Sequence, residues 1–206
     1  MSPPMPASRL VLASASPRRL DLLAQIGLAP ETVDPPDIDE TPRRGELPVK
    51  LALRLAEAKA RQIAMRHAGA FVIGADTVVA CGRRVLLKAE DEATARRCLE
   101  LLSGRRHRVV GGVAVLAPDG RMRTRVSTTQ VAFKRLDRGE IDAYLDIGEW
   151  RGKAGGYAIQ GHAAIFVRAL HGSYSNVVGL PLFETNALLT GLGFCPAPRT
   201  TSPTKF

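Results

Sequence analysis

Cysteine is nearly absent from this chain: Cys81, Cys98 and Cys195 are odd in number, widely separated and without C-x-x-C spacing. That excludes a disulfide framework and a zinc site, and leaves buried or idle thiols in a reducing compartment. Aromatic residues are scarce as well, at 5%. Platforms for single-stranded nucleic acid interleave aromatic and basic side chains, and no such stripe is present. No apolar run approaches the roughly 20 residues that span a bilayer. The opening Met1-Ser2-Pro3-Pro4-Met5-Pro6 lacks both the basic end and the apolar stretch of a signal peptide. The expectation is a cytoplasmic protein with no membrane partner.

What the chain does have is length and positive charge. Its 206 residues suit an α/β domain that buries roughly 70% of its unfolded surface without a staple. Hydrophobic residues at 45% and charged residues at 24% exclude wholesale disorder. A net charge of +9 points to an anionic partner: nucleic acid, a membrane surface or a phosphorylated small molecule. The charge is carried by 23 Arg and only 6 Lys, a skew that coding bias also produces, so the total alone does not select nucleic acid. A nucleic-acid-binding regulator is the rival class. It would bind strands with a steep salt slope and turn over no nucleotide, and no recognition helix with clustered base-reading residues is legible.

Residues 1–8 and 195–206 are rich in Pro, Ser and Thr and read as loose tails around a single domain, 9–194. Within it, Leu10–Ala13 reads as a buried strand, followed by a small-residue turn and a helix with Ser16 at its N-cap, Pro17 in its first turn and Gly27 at its end. After a Pro-rich segment, Asp34 to Pro48, a helical pattern runs from about Val49 to His67. Leu51, Leu55, Ala58 and Gln62 lie on or near one face, while Glu57 and Lys59 project elsewhere. Phe71–Val79 reads as a central strand interrupted by Asp76. A helix near 91–102, a hairpin of strands near 107–116 and 122–133, a helix near 137–147, a glycine-rich stretch, a strand near 164–170 and a helix near 181–192 complete the chain. Helices and strands intermix throughout, which predicts a three-layer α/β fold with a mixed sheet.

Four clusters carry chemistry. In Ser14-Ala15-Ser16-Pro17-Arg18-Arg19, a helix start and two arginines make a phosphate site, or else a plainly capped helix with solvated arginines. Asp76, set among Val and Ile, costs several kcal/mol if buried unpaired; it binds a cation, pairs with a base or caps a turn at the strand end. Lys59 and Lys88 offer point charges to a phosphate, or are surface residues. In Lys153–Gly161, close glycines allow tight backbone approach and Gln160 offers an amide to a base edge, or the stretch is simply a flexible loop. His67, His107, His162 and His171 lack metal-ligand spacing, and neither a P-loop nor G-x-S-x-G is present.

In this order the motifs resemble the Maf family of nucleoside triphosphate pyrophosphatases, also called septum formation proteins. The matching stretches are Leu12–Arg19, Ala56–Ala60, Gly74–Val78, Ser103–Arg105, Lys153–Gly161 and Gly172–Pro181, spanning roughly residues 9 to 194. The resemblance implies an elongated mixed sheet with a nucleotide cleft, and hydrolysis of a nucleoside triphosphate to the monophosphate and pyrophosphate with Mg²⁺ or Mn²⁺. It places the proton acceptor at Asp76, phosphate-channel residues at Ser14, Arg18, Arg19, Lys59 and Lys88, and Glu40 with Asp76 at the metal. The Lys153–Gly161 sequence resembles the branch that prefers dTTP and UTP over 7-methyl-GTP, and Arg18, Thr77 and Gln160 match the positions linked to that preference. A homodimer is common among such proteins. Lys88-Ala89 departs from the family's Lys-Pro, so the rigid turn expected to hold the lysine is missing. Alternatives are a pyrophosphatase for modified purine triphosphates and the nucleic-acid-binding regulator.

Overall fold

The computed structural model describes residues 8–196. In chain order the elements are β1 (Leu10–Ala13), α1 (Pro17–Gln25), β2 (Thr32–Val33), α2 (Pro48–Ala64), β3 (Phe71–Cys81), β4 (Arg84–Leu86), β5 (Lys88–Ala89), α3 (Glu92–Leu102), β6 (Arg106–Leu116) and β7 (Met122–Phe133). There follow α4 (Arg138–Ile147), β8 (Lys153–Ala154), a 3-10 helix (His162–Phe166), β9 (Val167–His171), α5 (Tyr174–Val178) and α6 (Leu182–Gly191). A seven-stranded mixed sheet runs β2-β1-β3-β6-β7-β9, with β4 beside β3, and β5 and β8 form a separate two-stranded ribbon. The expected tails lie outside the described residues except at their inner ends. There Ser8 and Cys195 bond to each other, Ser8 N–H to the Cys195 carbonyl at 2.9 Å and Cys195 N–H to the Ser8 hydroxyl at 3.1 Å.

Two consecutive glycines show how the layers stack. A Cβ built at Gly112 of β6 would run into the Ala52 carbonyl of α2, and one at neighbouring Gly111 would run into the Asn176 side chain of α5. Successive strand residues point to opposite faces, so α2 covers one face of the sheet and the α5–α6 segment the other. The approach of α2 is close because small residues meet on both sides: Ala52, Ala56 and Ala60 are fully buried at helical spacing, and Gly74 of β3 sits under the Ala56 carbonyl.

This packing corrects the expectation for α2. Ala58 and Gln62 are only half-buried, and the buried stripe includes Lys59 together with Leu51, Leu55, Ala56, Ala60 and Ile63. Lys59 does not project away from the sheet. Its place on the stripe is set by the small residues around it, which bring the helix near enough for its ammonium to meet a strand carboxylate. A second correction concerns the strand expected near 164–170. Its first half is the 3-10 helix, begun where the His162 N–H donates to the Glu149 carboxylate at 2.8 Å, and pairing with β7 is confined to Val167–His171.

The sheet contains a break. On one edge β3 pairs with β6 over Val72–Ala80. On its other edge, β1 runs parallel only as far as Gly74, and β4 takes over antiparallel at Val79. Residues 75–78 have no strand partner on that side among the described residues. Gly112→Ala is expected to cost about 1–3 kcal/mol in denaturant unfolding through overpacking against α2. Gly191→Ala, with nothing near its Cβ, should leave stability unchanged or slightly raised.

Candidate active site

A cleft of about 460 Å³ opens at this break. All the sequence-predicted site residues except Gln160 line it. Gln160 is exposed on the surface at the far end of the Lys153–Gly161 stretch. Asp76 and Thr77 sit side by side in the stretch of β3 that is paired on one edge only, with β6, and point to opposite faces, so the break gathers side chains from both layers.

On the α2 face, Asp76 is 7% exposed and Lys59 5% exposed. The Lys59 ammonium donates to Asp76 Oδ1 at 2.7 Å and meets Glu40 Oε1 at 2.6 Å. The other Glu40 oxygen accepts from Lys88 at 2.6 Å. Pairing meets the desolvation cost that an isolated buried carboxylate or ammonium would incur. Burial pushes Glu40 up, but hydrogen bonds from Lys59 and Lys88 outweigh it and bring its carboxyl down to about 2. Lys88 is held without the family's proline: β5 pairs with β8, Lys88 opposite Ala154 and Ala89 opposite Lys153.

On the other face, the Arg19 guanidinium is 9% exposed and donates to neutral oxygens: Gly179 O at 2.8 Å, Ser14 Oγ at 3.0 Å and Thr77 Oγ1 at 3.4 Å. Burial lowers its pKa, while the charges of Asp76 and, more weakly, Glu40 oppose that shift. Thr77 Oγ1 also donates to Gly179 O at 3.3 Å. Ser14 Oγ accepts from both Arg19 and the Ser16 N–H at 3.1 Å, so its own hydrogen is left to donate to a ligand oxygen. Ser16 occupies the N-cap position but makes no side-chain cap bond; the hydroxyl two residues earlier takes its backbone N–H instead. Arg18 and Lys153 also line the cleft. Both have lowered pKa values from burial, and Arg18 adds to the shift of Lys153.

Residues without an assigned role in the sequence hold this arrangement. Asn176, fully buried, donates from Nδ2 to Val109 O and Thr129 Oγ1, both at 3.0 Å, and to Ser127 O at 3.3 Å. It pins α5 to β6 and β7 and so sets the Gly179 carbonyl that receives Arg19. Its position inside Gly172–Pro181 was visible in the motif; its buried bonding was not.

The cleft therefore places the cationic side chains of Arg18, Arg19, Lys59, Lys88 and Lys153 around two carboxylates, a surplus suited to a polyanion. The two carboxylates also fit Mg²⁺, which is bound through one or two carboxylates with substrate phosphates and waters. Asp76 and Glu40 both aim an oxygen at one cationic point, now the Lys59 ammonium. No group of three or more His, Cys, Asp or Glu able to hold a metal occurs among the described residues, so further ligands would come from substrate and water.

Fold and cleft together define a mixed α/β protein with a polyanion site at a break in its sheet. The pattern of the family described as Maf-like protein matches residues 9–192, and the chain belongs to that family. A dTTP/UTP pyrophosphatase from Paramagnetospirillum magneticum is 70% identical over 187 residues, covering 91% of this chain and 98% of that protein. One of the same name from Rhodospirillum rubrum is 65% identical over 187 residues, covering 91% and 89%. Among solved structures, a HAM1 protein from Coxiella burnetii shows a partial likeness, with a TM-score of 0.42 and 19% identity over 64% of this chain and 75% of that one. No helix among the described residues is long and apolar enough to cross a membrane.

Glu40 is held below its ordinary 4.5, at about 2, so its contribution to stability is present above pH 4.5 and lost as pH falls toward 2. Acid unfolding of the wild type should carry this loss, and Glu40→Gln should lack it. Parallel stability profiles for the two proteins across that window would contradict the assignment.

Proposed function

We propose that this chain is a nucleoside triphosphate pyrophosphatase that hydrolyses dTTP and UTP to the monophosphate and pyrophosphate. The observation that carries the reading is the buried Arg19, bonded only to neutral oxygens in a cleft rich in cations, beside the Lys59–Asp76 pair. The names of the 70% and 65% identical relatives support the same substrates.

The roles follow from residue chemistry. Arg18, Arg19, Lys59, Lys88 and the Ser14 hydroxyl bind triphosphate oxygens, and Lys153 adds charge where pyrophosphate departs. Negative charge accumulates on that leaving group, and donors fixed in advance stabilise it without reorganising during the reaction. Asp76 orients the attacking water and accepts its proton, and Lys59 keeps the carboxylate in place. Mg²⁺ or Mn²⁺, held by Asp76 and Glu40, would supply charge neutralisation on the phosphate oxygens. Arg18, Thr77, tied to Arg19, and Gln160, which lies on the surface beyond the cleft lining, are the base-selective positions in this proposal. A homodimer and a cytoplasmic location belong to the same proposal.

Pyrophosphate release measured over UTP, dTTP, CTP, ATP, GTP and 7-methyl-GTP, with and without Mg²⁺, is expected to favour UTP and dTTP and to need the metal. Preference for 7-methyl-GTP would move the chain to purine substrates, and no release from any nucleotide would sink the proposal. Asp76→Asn should remain folded and lose about 10²–10⁴-fold in kcat; unchanged turnover removes Asp76 as proton acceptor. Gln160→Ala should erode the preference for UTP over GTP, and an unchanged ratio removes Gln160 from base selection.

A further inference from the structure

Glu40 is the cleft carboxylate that occupies two ammonium groups at once. Both of its carboxylate oxygens are engaged, Oε1 with Lys59 and Oε2 with Lys88, each at 2.6 Å. These are two of the ammonium groups facing the cleft, and Glu40 bridges them as a phosphate would.

The segment that carries Glu40 is fastened to α2 on both sides of it. Asp37 and Gln62 exchange two hydrogen bonds, Asp37 N–H to Gln62 Oε1 at 2.8 Å and Gln62 Nε2 to Asp37 O at 2.6 Å. Beyond Glu40, Arg54 donates to Thr41 O at 3.1 Å and forms a two-pronged pair with Glu46 at 2.7 and 2.8 Å. Two anchors flank the carboxylate closely and hold it over the lysines.

We propose that Glu40 is a specificity-determining residue that makes the cleft reject bare polyanions and accept those carrying a divalent cation. A bare anion that takes Lys59 and Lys88 must strip Glu40 of both partners and leave its carboxylate beside the incoming negative charge, with the anchors preventing retreat. An anion carrying a cation brings a new partner for that carboxylate. The lysines then exchange carboxylate for phosphate, the carboxylate exchanges lysines for the cation, and no charge is left unpaired. Free phosphates and nucleotides without metal are held off by the same residue that admits the loaded substrate.

The nucleotide arm of the test rests on the proposed function; the pyrophosphate arm rests on charge alone. Calorimetric titrations at fixed ionic strength would use inorganic pyrophosphate and the α,β-imido analogue of UTP, each with EDTA or with excess Mg²⁺, against wild type and Glu40→Gln. The wild type should bind both metal-free ligands at least about tenfold more weakly than the Mg²⁺-loaded forms. Glu40→Gln should bind the metal-free ligands about tenfold more tightly than wild type and lose the distinction. Glu40→Ala, which leaves no side-chain amide to hold either lysine, should behave the same way, with unchanged near-UV circular dichroism as the folding check. Metal-free pyrophosphate binding that is no tighter in both folded variants overturns the inference. Tighter pyrophosphate binding without any affinity for the UTP analogue would leave it standing and overturn the pyrimidine nucleotide reading instead.

Discussion

The Lys59 ammonium, buried where α2 crosses β3, is the interaction on which the site depends. A carboxylate in the middle of an apolar strand needs a cation, and Lys59 reaches Asp76 at 2.7 Å only because the helix lies directly on the strand. That closeness in turn requires Gly74 and Gly112 beneath the Ala52–Ala56–Ala60 stripe. A larger residue at either glycine would lift the helix and separate the pair, so packing and electrostatics at this point are one constraint. The motifs Ala56–Ala60 and Gly74–Val78 are the two halves of that contact.

The break in the sheet turns a structural ion pair into a site. Strand pairing from β1 ends at Gly74 and resumes from β4 at Val79, and the gap exposes Asp76 and Thr77 from opposite faces of the same strand. One face brings Lys59 with Glu40 and Lys88. The other brings Arg19, locked by Ser14, Thr77 and the Gly179 carbonyl. The cleft between them is lined by Arg18, Arg19, Lys59, Lys88 and Lys153. The dependence on α5 follows: Asn176 anchors that short helix to β6 and β7, and through Gly179 it fixes the guanidinium.

Much of this was legible in the sequence where elements are long. β1, α1, β3, α3, the β6–β7 hairpin, α4 and α6 all follow from periodicity and turn chemistry. The two-residue strands β2, β5 and β8 and the three-residue β4 were not, because strands that short have no period to detect, and β5 and β8 bring Lys88 and Lys153 to the cleft. The charge of Lys59 argues for a position off the apolar face, but its spacing from Leu51 and Leu55 puts it on the buried stripe. Glu40 carried no local signal: its segment is irregular, and only the fold brings it to Lys59 and Lys88. Charge composition alone pointed to any anion, whereas the placement of a few cations around one aspartate narrows that to a compact polyphosphate.

Phosphorus NMR of the products formed from UTP in the presence of Mg²⁺ tests the central claim most directly. The account predicts signals of UMP and pyrophosphate appearing together as UTP disappears. UDP with orthophosphate as the products would contradict it, because the bond broken would then be the terminal anhydride rather than the one that releases pyrophosphate.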